Sequence, residues 1–288
     1  MAFESSRTCW VDGAYVAERD ARISIFDRGV LFGDGVYEVA AAFNGRLLDA
    51  DLHLARLARS LGAIRIEGAQ SAEAWIEIMQ SLLDRNGIDE GFVYLEVTRG
   101  VADRDFPFPA DTAPTQFAYA RPKRLRDDPN AAGIALASVP DIRWSRRDIK
   151  SVALLAQVLA KQTAREAGAF EALMHHDGVV TEGGSSNVWI VQGGVLRTRM
   201  LSNNILAGIT RAVVVELARE LGLPVDERPF TITEARDADE CFMTSATSFV
   251  LPVTSIDGHE VGDGAPGRHT SAVRAAYLER AERLTRHS

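Results

Sequence analysis

The chain has 288 residues, is 46% hydrophobic and 25% charged, and carries a net charge of -8 with its histidines neutral. That length and balance suit a soluble globular protein with a sizeable core and argue against disorder, collagen-like repeats and coiled coil. The acidic excess gives no general field to draw nucleic acid or an anionic membrane, so neither partner is expected.

The longest stretch without a charged residue, 241–256, is sixteen residues long, and a spanning helix needs roughly 20 mostly apolar ones. The first residues lack an apolar signal region, and Cys9 and Cys241 alone make no disulfide framework; the expectation is a cytoplasmic protein. Neither cysteine has a partner at ligand spacing, and the adjacent His175 and His176 of a strand project to opposite faces, so no metal site is expected.

In chain order, residues 36–43 read as a strand, and 51–61 as a helix with Leu54, Leu57, Ala58 and Leu61 on one face. Residues 71–86 read as a second helix, opened by Ser71 and closed by Gly87. Strands follow at 92–98 and 116–120. The segment 121–133, with two prolines, a terminal glycine and six charges, reads as a linker. It separates a small N-terminal α/β domain, 1–120, from a larger C-terminal domain, 134–288. Strands at 133–139, 170–174, 187–191 and 239–243 then alternate with helices at 151–167, 210–221 and 268–284, for which Ser151 and Thr210 are plausible N-caps. The fold class is α/β (α+β) with two domains, and an active site is expected between them.

Of the 32 basic residues only Lys123, Lys150 and Lys161 are lysines, so an amine nucleophile has three candidates. Lys150 follows Arg143, Arg146 and Arg147, cations that would lower its pKa; read alone, it is also an ordinary solvated lysine at a helix start. Lys123 in the linker and Lys161 in an amphipathic helix read as surface residues. The segment 181–187, Thr-Glu-Gly-Gly-Ser-Ser-Asn, either aims Glu182 at a cationic ring nitrogen with Ser185, Ser186 and Asn187 as hydrogen-bonding neighbours, or is a plain hairpin turn. Gly208-Ile209-Thr210-Arg211 opens a helix whose first amides suit a phosphate. Residues 244–248 form a second hydroxyl cluster. In the glycine-punctuated loop and strand at 27–39, Asp34 and Glu38 read only weakly as a hydrolase acid and base pair.

Asp-Arg-Gly-x-x-Phe-Gly-Asp-Gly-Val-Tyr-Glu-Val at 27–39, His-x-x-Arg-Leu at 53–57, Asp-Ile-Lys-Ser at 148–151, Thr-Glu-Gly-x-Ser-Ser-Asn at 181–187 and Gly-Ile-Thr-Arg at 208–211 occur in that order. Together they resemble the class IV pyridoxal-phosphate aminotransferases, and within them the D-amino-acid transaminases. The resemblance implies a fold type IV enzyme with pyridoxal 5'-phosphate in the interdomain cleft, and a homodimer that completes each site. Its substrates would be amino acids and 2-oxo acids. Lys150 matches the Schiff-base lysine, and Glu182 the carboxylate on the pyridine nitrogen. Arg56 and the amides of Ile209 and Thr210 match the phosphate site, with Ser245 and Ala246 near it. Leu206 matches an apolar residue behind the ring, Tyr37 an active-site tyrosine, and Val39 lies on the same strand.

Two residues depart from the pattern. Where the D-amino-acid transaminases receive the substrate carboxylate with an Arg-x-His pair, this chain has Arg104 and Phe106. Ala246 stands where the family often has a threonine, and Ser245 and Thr247 are its nearest substitutes. A branched-chain L-amino-acid aminotransferase, an (R)-amine transaminase and aminodeoxychorismate lyase share the apparatus. A non-enzymatic binding protein on the same fold is disfavoured by the complete motif set.

Overall fold

A computed structural model describes residues 7–286. By their internal contacts the described residues form two compact units, one of 7–124, 149–153 and 284–286, the other of 125–148 and 154–283.

The first unit is built on a six-stranded sheet in the order β2-β1-β6-β5-β3-β4. Its strands are β1 (Thr8–Val11), β2 (Ala14–Ala17), β3 (Gly35–Phe43), β4 (Arg46–Leu47), β5 (Gly91–Thr98) and β6 (Gln116–Pro122), all antiparallel. A short α1 (Arg28–Phe32) precedes β3, and α2 (Ala50–Ala63) and α3 (Ala72–Asn86) join β4 to β5. Period-two alternation sorts the strands. Val36, Ala40, Val93, Leu95, Val97, Ala118 and Ala120 are buried in one core with Leu54 and Leu57 of α2 and Trp75, Met79, Leu82 and Leu83 of α3. The alternate residues Tyr37, Tyr94 and Tyr119 form a stacked ladder on the opposite face, with ring centroids 5.4 and 5.1 Å apart. Ser71 caps α3 by accepting the Ala74 amide, and Gly87 ends it at φ +60°, as the sequence predicts.

The second unit holds nine strands. Eight run in the order β12-β11-β10-β13-β14-β7-β8-β9, and β15 (His259–Glu260) pairs with β14. They are β7 (Ile134–Pro140), β8 (Glu171–His176), β9 (Val179–Gly183), β10 (Asn187–Gln192), β11 (Val195–Thr198), β12 (Val225–Glu227), β13 (Glu240–Ser245) and β14 (Phe249–Ile256). The pairs β7/β8, β7/β14 and β11/β12 are parallel. The helices are α4 (Leu155–Glu166), α5 (Ile209–Glu220), α6 (Ile232–Arg236) and α7 (Arg268–Thr285), whose last two residues count with the first unit. No helix among the described residues is long and apolar enough to cross a membrane.

Two helix starts differ from the sequence expectation, for a backbone reason. Ser151 does not cap a helix. Residues 149–153 turn beside β3 and join it through a single antiparallel bridge of Ser151 with Val36, where Tyr37 N donates to Lys150 O and Val152 N to Gly35 O, both at 3.0 Å, and α4 starts only at Leu155. Gly33 permits this run, since a Cβ there would lie 3.1 Å from that of Ala153 and its φ is +67°. Helix α5 starts at Ile209 with Gly208 at the N-cap position, two residues before the expected Thr210.

Trp75 anchors the first core at 0% exposure, edge-on to Trp10 at 5.2 Å, yet its Nε1 has no hydrogen-bond partner among the described residues. Its contribution is therefore packing. Trp75→Ala is expected to cost about 3–5 kcal/mol and Trp75→Phe, which leaves a smaller cavity, less than Trp75→Ala, read by urea unfolding.

Candidate active site

In the first unit the site grows from α2. Its inward face carries a polar stripe, His53, Arg56 and Ser60, beside Leu54 and Leu57. Glu38, 1% exposed on β3, receives Arg56 Nε at 2.7 Å and Nη2 at 2.8 Å and meets His53 Nδ1 at 2.7 Å. Burial pushes the Glu38 carboxyl up, but the Arg56 charge, its hydrogen bonds and His53 outweigh it, so the acid is held well below its ordinary value. Arg56 is thereby a fixed, buried guanidinium. One turn on, Ser60 Oγ accepts the Lys150 amide at 3.3 Å.

Lys150 is held through its backbone by Tyr37 and Ser60, and its Nζ lies 4.1 Å from the centroid of the Tyr37 ring. The expected lysine and tyrosine are thus in contact. Val39 lies one register step along the same face, opposite Tyr94. The arginines expected to tune Lys150 are engaged elsewhere. Arg146 pairs with Asp148 at 2.9 Å, Arg147 with Asp141 at 3.4 Å, and Arg143 with Asp141 and Glu182. The hydrolase reading of Asp34 and Glu38 finds no support, because Asp34 is taken by Arg28 and Arg99, both at 2.8 Å.

Arg28 also fixes the loop that carries the departure from the family pattern, donating to the carbonyls of Asp105 at 2.6 Å and Phe106 at 3.3 Å. Arg104 lies over the rings of Phe32 and Phe106, 5.4 and 5.7 Å from their centroids. Phe106 is 75% exposed and offers no polar atom beyond its backbone.

In the second unit the centre is Glu182 at the end of β9, 4% exposed. Its carboxylate receives Arg143 Nη1, Asn187 Nδ2 at 3.0 Å and the Leu206 amide at 3.2 and 3.1 Å on its two oxygens. Every partner is a donor, an arrangement built for the ionised form. Desolvation still pushes this carboxyl above its ordinary value, with Arg143 and the Leu206 amide pulling it back. Arg143 is clamped in turn by Asp141, Nε to Oδ1 at 2.9 Å and Nη2 to Oδ2 at 2.7 Å, and Thr181 Oγ1 donates to Asp141 at 2.6 Å.

Asn187 links this carboxylate to the next part, because its Nδ2 also donates to Leu206 O at 3.0 Å. A Cβ on Gly208 would fall 2.0 Å from Asn187 Oδ1, so only glycine fits there. Gly208 gives α5 no side-chain cap, and no acidic residue sits in the first turn. The Ile209 and Thr210 amides therefore open the helix at its positive end without a competing carboxylate. Ser186 Oγ turns to Met243 Sδ at 3.7 Å. Ser245 ends β13, and Ala246 follows in the turn to β14.

Asp141 is not singled out by the sequence, which gives Arg143 to Lys150 and Thr181 only a place at the start of the 181–187 motif, whereas both serve Asp141 and, through Arg143, Glu182. The one signal for Asp141 is an arginine two residues away, ahead of the lysine motif. Asp141 is held down to about 2, chiefly by Arg143 against its own desolvation. A carboxyl depressed in the fold stabilises it above the ordinary value near 3.8 and loses that contribution as pH falls toward 2. Asp141→Asn is therefore expected to flatten the acid limb of the Tm against pH curve between those values, with Tm lower at neutral pH.

The parts present are an amine against an aromatic ring, a fixed guanidinium, a buried carboxylate braced by donors and an uncapped helix start. As a donor set they fit pyridoxal phosphate: the amine suits its aldehyde, the carboxylate its pyridine nitrogen, and the guanidinium and helix amides its phosphate. Residues 35–256 match the family Amino-transferase class IV, and the chain belongs to that family. It is 42% identical over 265 residues to the D-alanine aminotransferase of Bacillus licheniformis, covering 92% of this chain and 94% of that one. It is 38% identical over 269 residues to the D-alanine aminotransferase of Staphylococcus haemolyticus, covering 93% and 95%. Among solved structures, the branched-chain amino acid aminotransferase of Thermobaculum terrenum in its PLP form superposes with a TM-score of 0.84 at 27% identity, covering 96% and 94%. The fold is therefore the fold type IV expected from the motifs.

Proposed function

We propose that the chain is a pyridoxal-phosphate transaminase that moves the amino group of a D-amino acid, D-alanine foremost, to a 2-oxo acid such as 2-oxoglutarate. The observation that carries this reading is the 42% identity to a D-alanine aminotransferase across 92% of the chain. The bound cofactor supplies an electron sink for the pair left at the substrate α-carbon.

The remaining chemistry belongs to the chain. Lys150 Nζ would hold the cofactor through its aldehyde and, once displaced by the substrate amine, would take up the proton that leaves the substrate α-carbon. Glu182, ionised and braced, keeps the pyridine nitrogen protonated and so preserves the sink. Arg56 and the Ile209 and Thr210 amides hold the phosphate dianion. Leu206 contributes its backbone to Glu182 as well as its side chain to the cofactor side. Ser185, Ser186, Ser245 and Ala246 line the surrounding turns, while Tyr37 and Val39 face the substrate. Arg104 receives the substrate carboxylate without a histidine partner, and a hydrogen bond to a charged group is worth about 1.5–3 kcal/mol. The working form is a cytoplasmic homodimer.

The apolar Phe106 gives one specific reason to weigh (R)-amines as donors, since an amine has no carboxylate to hold. A donor panel of D-alanine, L-leucine and an (R)-amine, followed by pyridoxamine phosphate formation, decides between the readings. D-Alanine is expected to react fastest; turnover of L-leucine with none of any D-amino acid would contradict the assignment. Lys150→Ala is expected to lose borohydride-trapped cofactor and at least about 10³-fold of kcat, as when a covalent group that acts as a unit with its neighbours is removed.

A further inference from the structure

The turn that follows Glu182 is held from outside by a lysine, a glutamate and a serine. Lys161 Nζ on α4 donates to Ser185 Oγ at 2.9 Å and pairs with Glu171 Oε2 at 3.0 Å. Ser185 Oγ donates to the same carboxylate at 3.1 Å, and Glu171 Oε1 accepts the Ala172 amide at 2.9 Å. The Glu171 side chain is 2% exposed, whereas that of Lys161 is 44% exposed. Lys161 is therefore no ordinary surface lysine, and the Ser185 hydroxyl is already committed as both donor and acceptor.

The backbone between is packed to contact. A Cβ on Gly184 would meet Glu171 Oε1 at 2.8 Å and Lys161 Cγ at 2.9 Å, and one on Gly183 would meet Ser186 Oγ at 2.1 Å. Gly183 N also donates to Ser186 O at 2.7 Å. The turn 183–186 is thus closed on itself and pinned to α4 and β8. Its two ends are Glu182 and Asn187, the carboxylate and the amide that braces it.

We propose that Lys161, Glu171 and Ser185 are positioning residues. By pinning the turn they fix the direction of the Glu182 carboxylate and the Asn187 amide, and thereby the hold on the pyridine nitrogen. This rests on the assignment of Glu182 to that nitrogen. Ser185 is moved from cofactor contact to support of the turn. A shift of about 1 Å at such a group costs on the order of 10²-fold in rate, so even a small relaxation is measurable.

The test uses the holoenzyme and the variants Ser185→Ala, Lys161→Met, Lys161→Arg and Glu182→Gln. Three quantities are read: Tm, the visible absorption of bound cofactor against pH, and the rate of cofactor release into buffer. Ser185→Ala and Lys161→Met are expected to shift the absorption titration in the same direction as Glu182→Gln and to release cofactor about tenfold faster. Lys161→Arg, which keeps the cation, is expected to restore both. A lower Tm with titration and release unchanged in Ser185→Ala and Lys161→Met, while Glu182→Gln changes both, would overturn the positioning role and leave Glu182 assigned as above. If Glu182→Gln changes neither, the assignment of Glu182 itself fails and the positioning role falls with it.

Discussion

A carboxylate buried to 4% exposure is the constraint around which the second unit is arranged. Leaving water costs an ionised acid several kcal/mol unless donors replace the lost solvation, and nearly every unusual feature near Glu182 is such a donor or the support of one. Arg143 brings charge and is itself held by Asp141, which Thr181 holds in turn. The Leu206 amide and Asn187 close the remaining lone pairs. Because Asn187 also fills the space where Gly208 would carry a Cβ, the bracing of the acid and the glycine start of α5 are one packing solution.

The first unit repeats the logic with opposite emphasis. There the residue to be fixed is a cation, Arg56, and Glu38 with His53 supplies the counter-charge on the buried face of β3. A buried pair of this kind is weak evidence of stability, since its desolvation offsets most of its attraction. Its consequence is geometric: the guanidinium keeps one direction, and the same helix face ends at Ser60, which bonds the Lys150 backbone. The bridging of 149–153 to β3 then sets where the amine emerges, over the Tyr37 ring.

Much of this was legible in the sequence. Strands with clear alternation, such as 92–98, and helices with both ends marked, such as 71–86, lie where periodicity and capping put them, because local preference and tertiary packing agree there. Ser151 misled because pairing with β3 outweighed a good capping residue, and pairing is not local. The ordered motifs marked Lys150, Glu182 and Arg56, but not what braces them. Asp141 and Thr181 are forty positions apart in sequence; Asp141 has no pattern of its own, and the motif that Thr181 opens does not say what its hydroxyl holds. Lys161 is exposed, as helical periodicity indicates, but periodicity does not report which turn of another strand comes to meet its amine. The N-terminal hairpin of β1 and β2 carried too few alternating residues to stand out.

The central claim is that Glu182 acts as an anion on the cofactor ring nitrogen. Its most direct test is nitrogen-15 NMR of the holoenzyme loaded with ring-labelled pyridoxal phosphate at neutral pH. The account predicts a protonated ring nitrogen in the native chain and an unprotonated one in Glu182→Gln; an unprotonated nitrogen in the native chain, or no difference between the two, would contradict it.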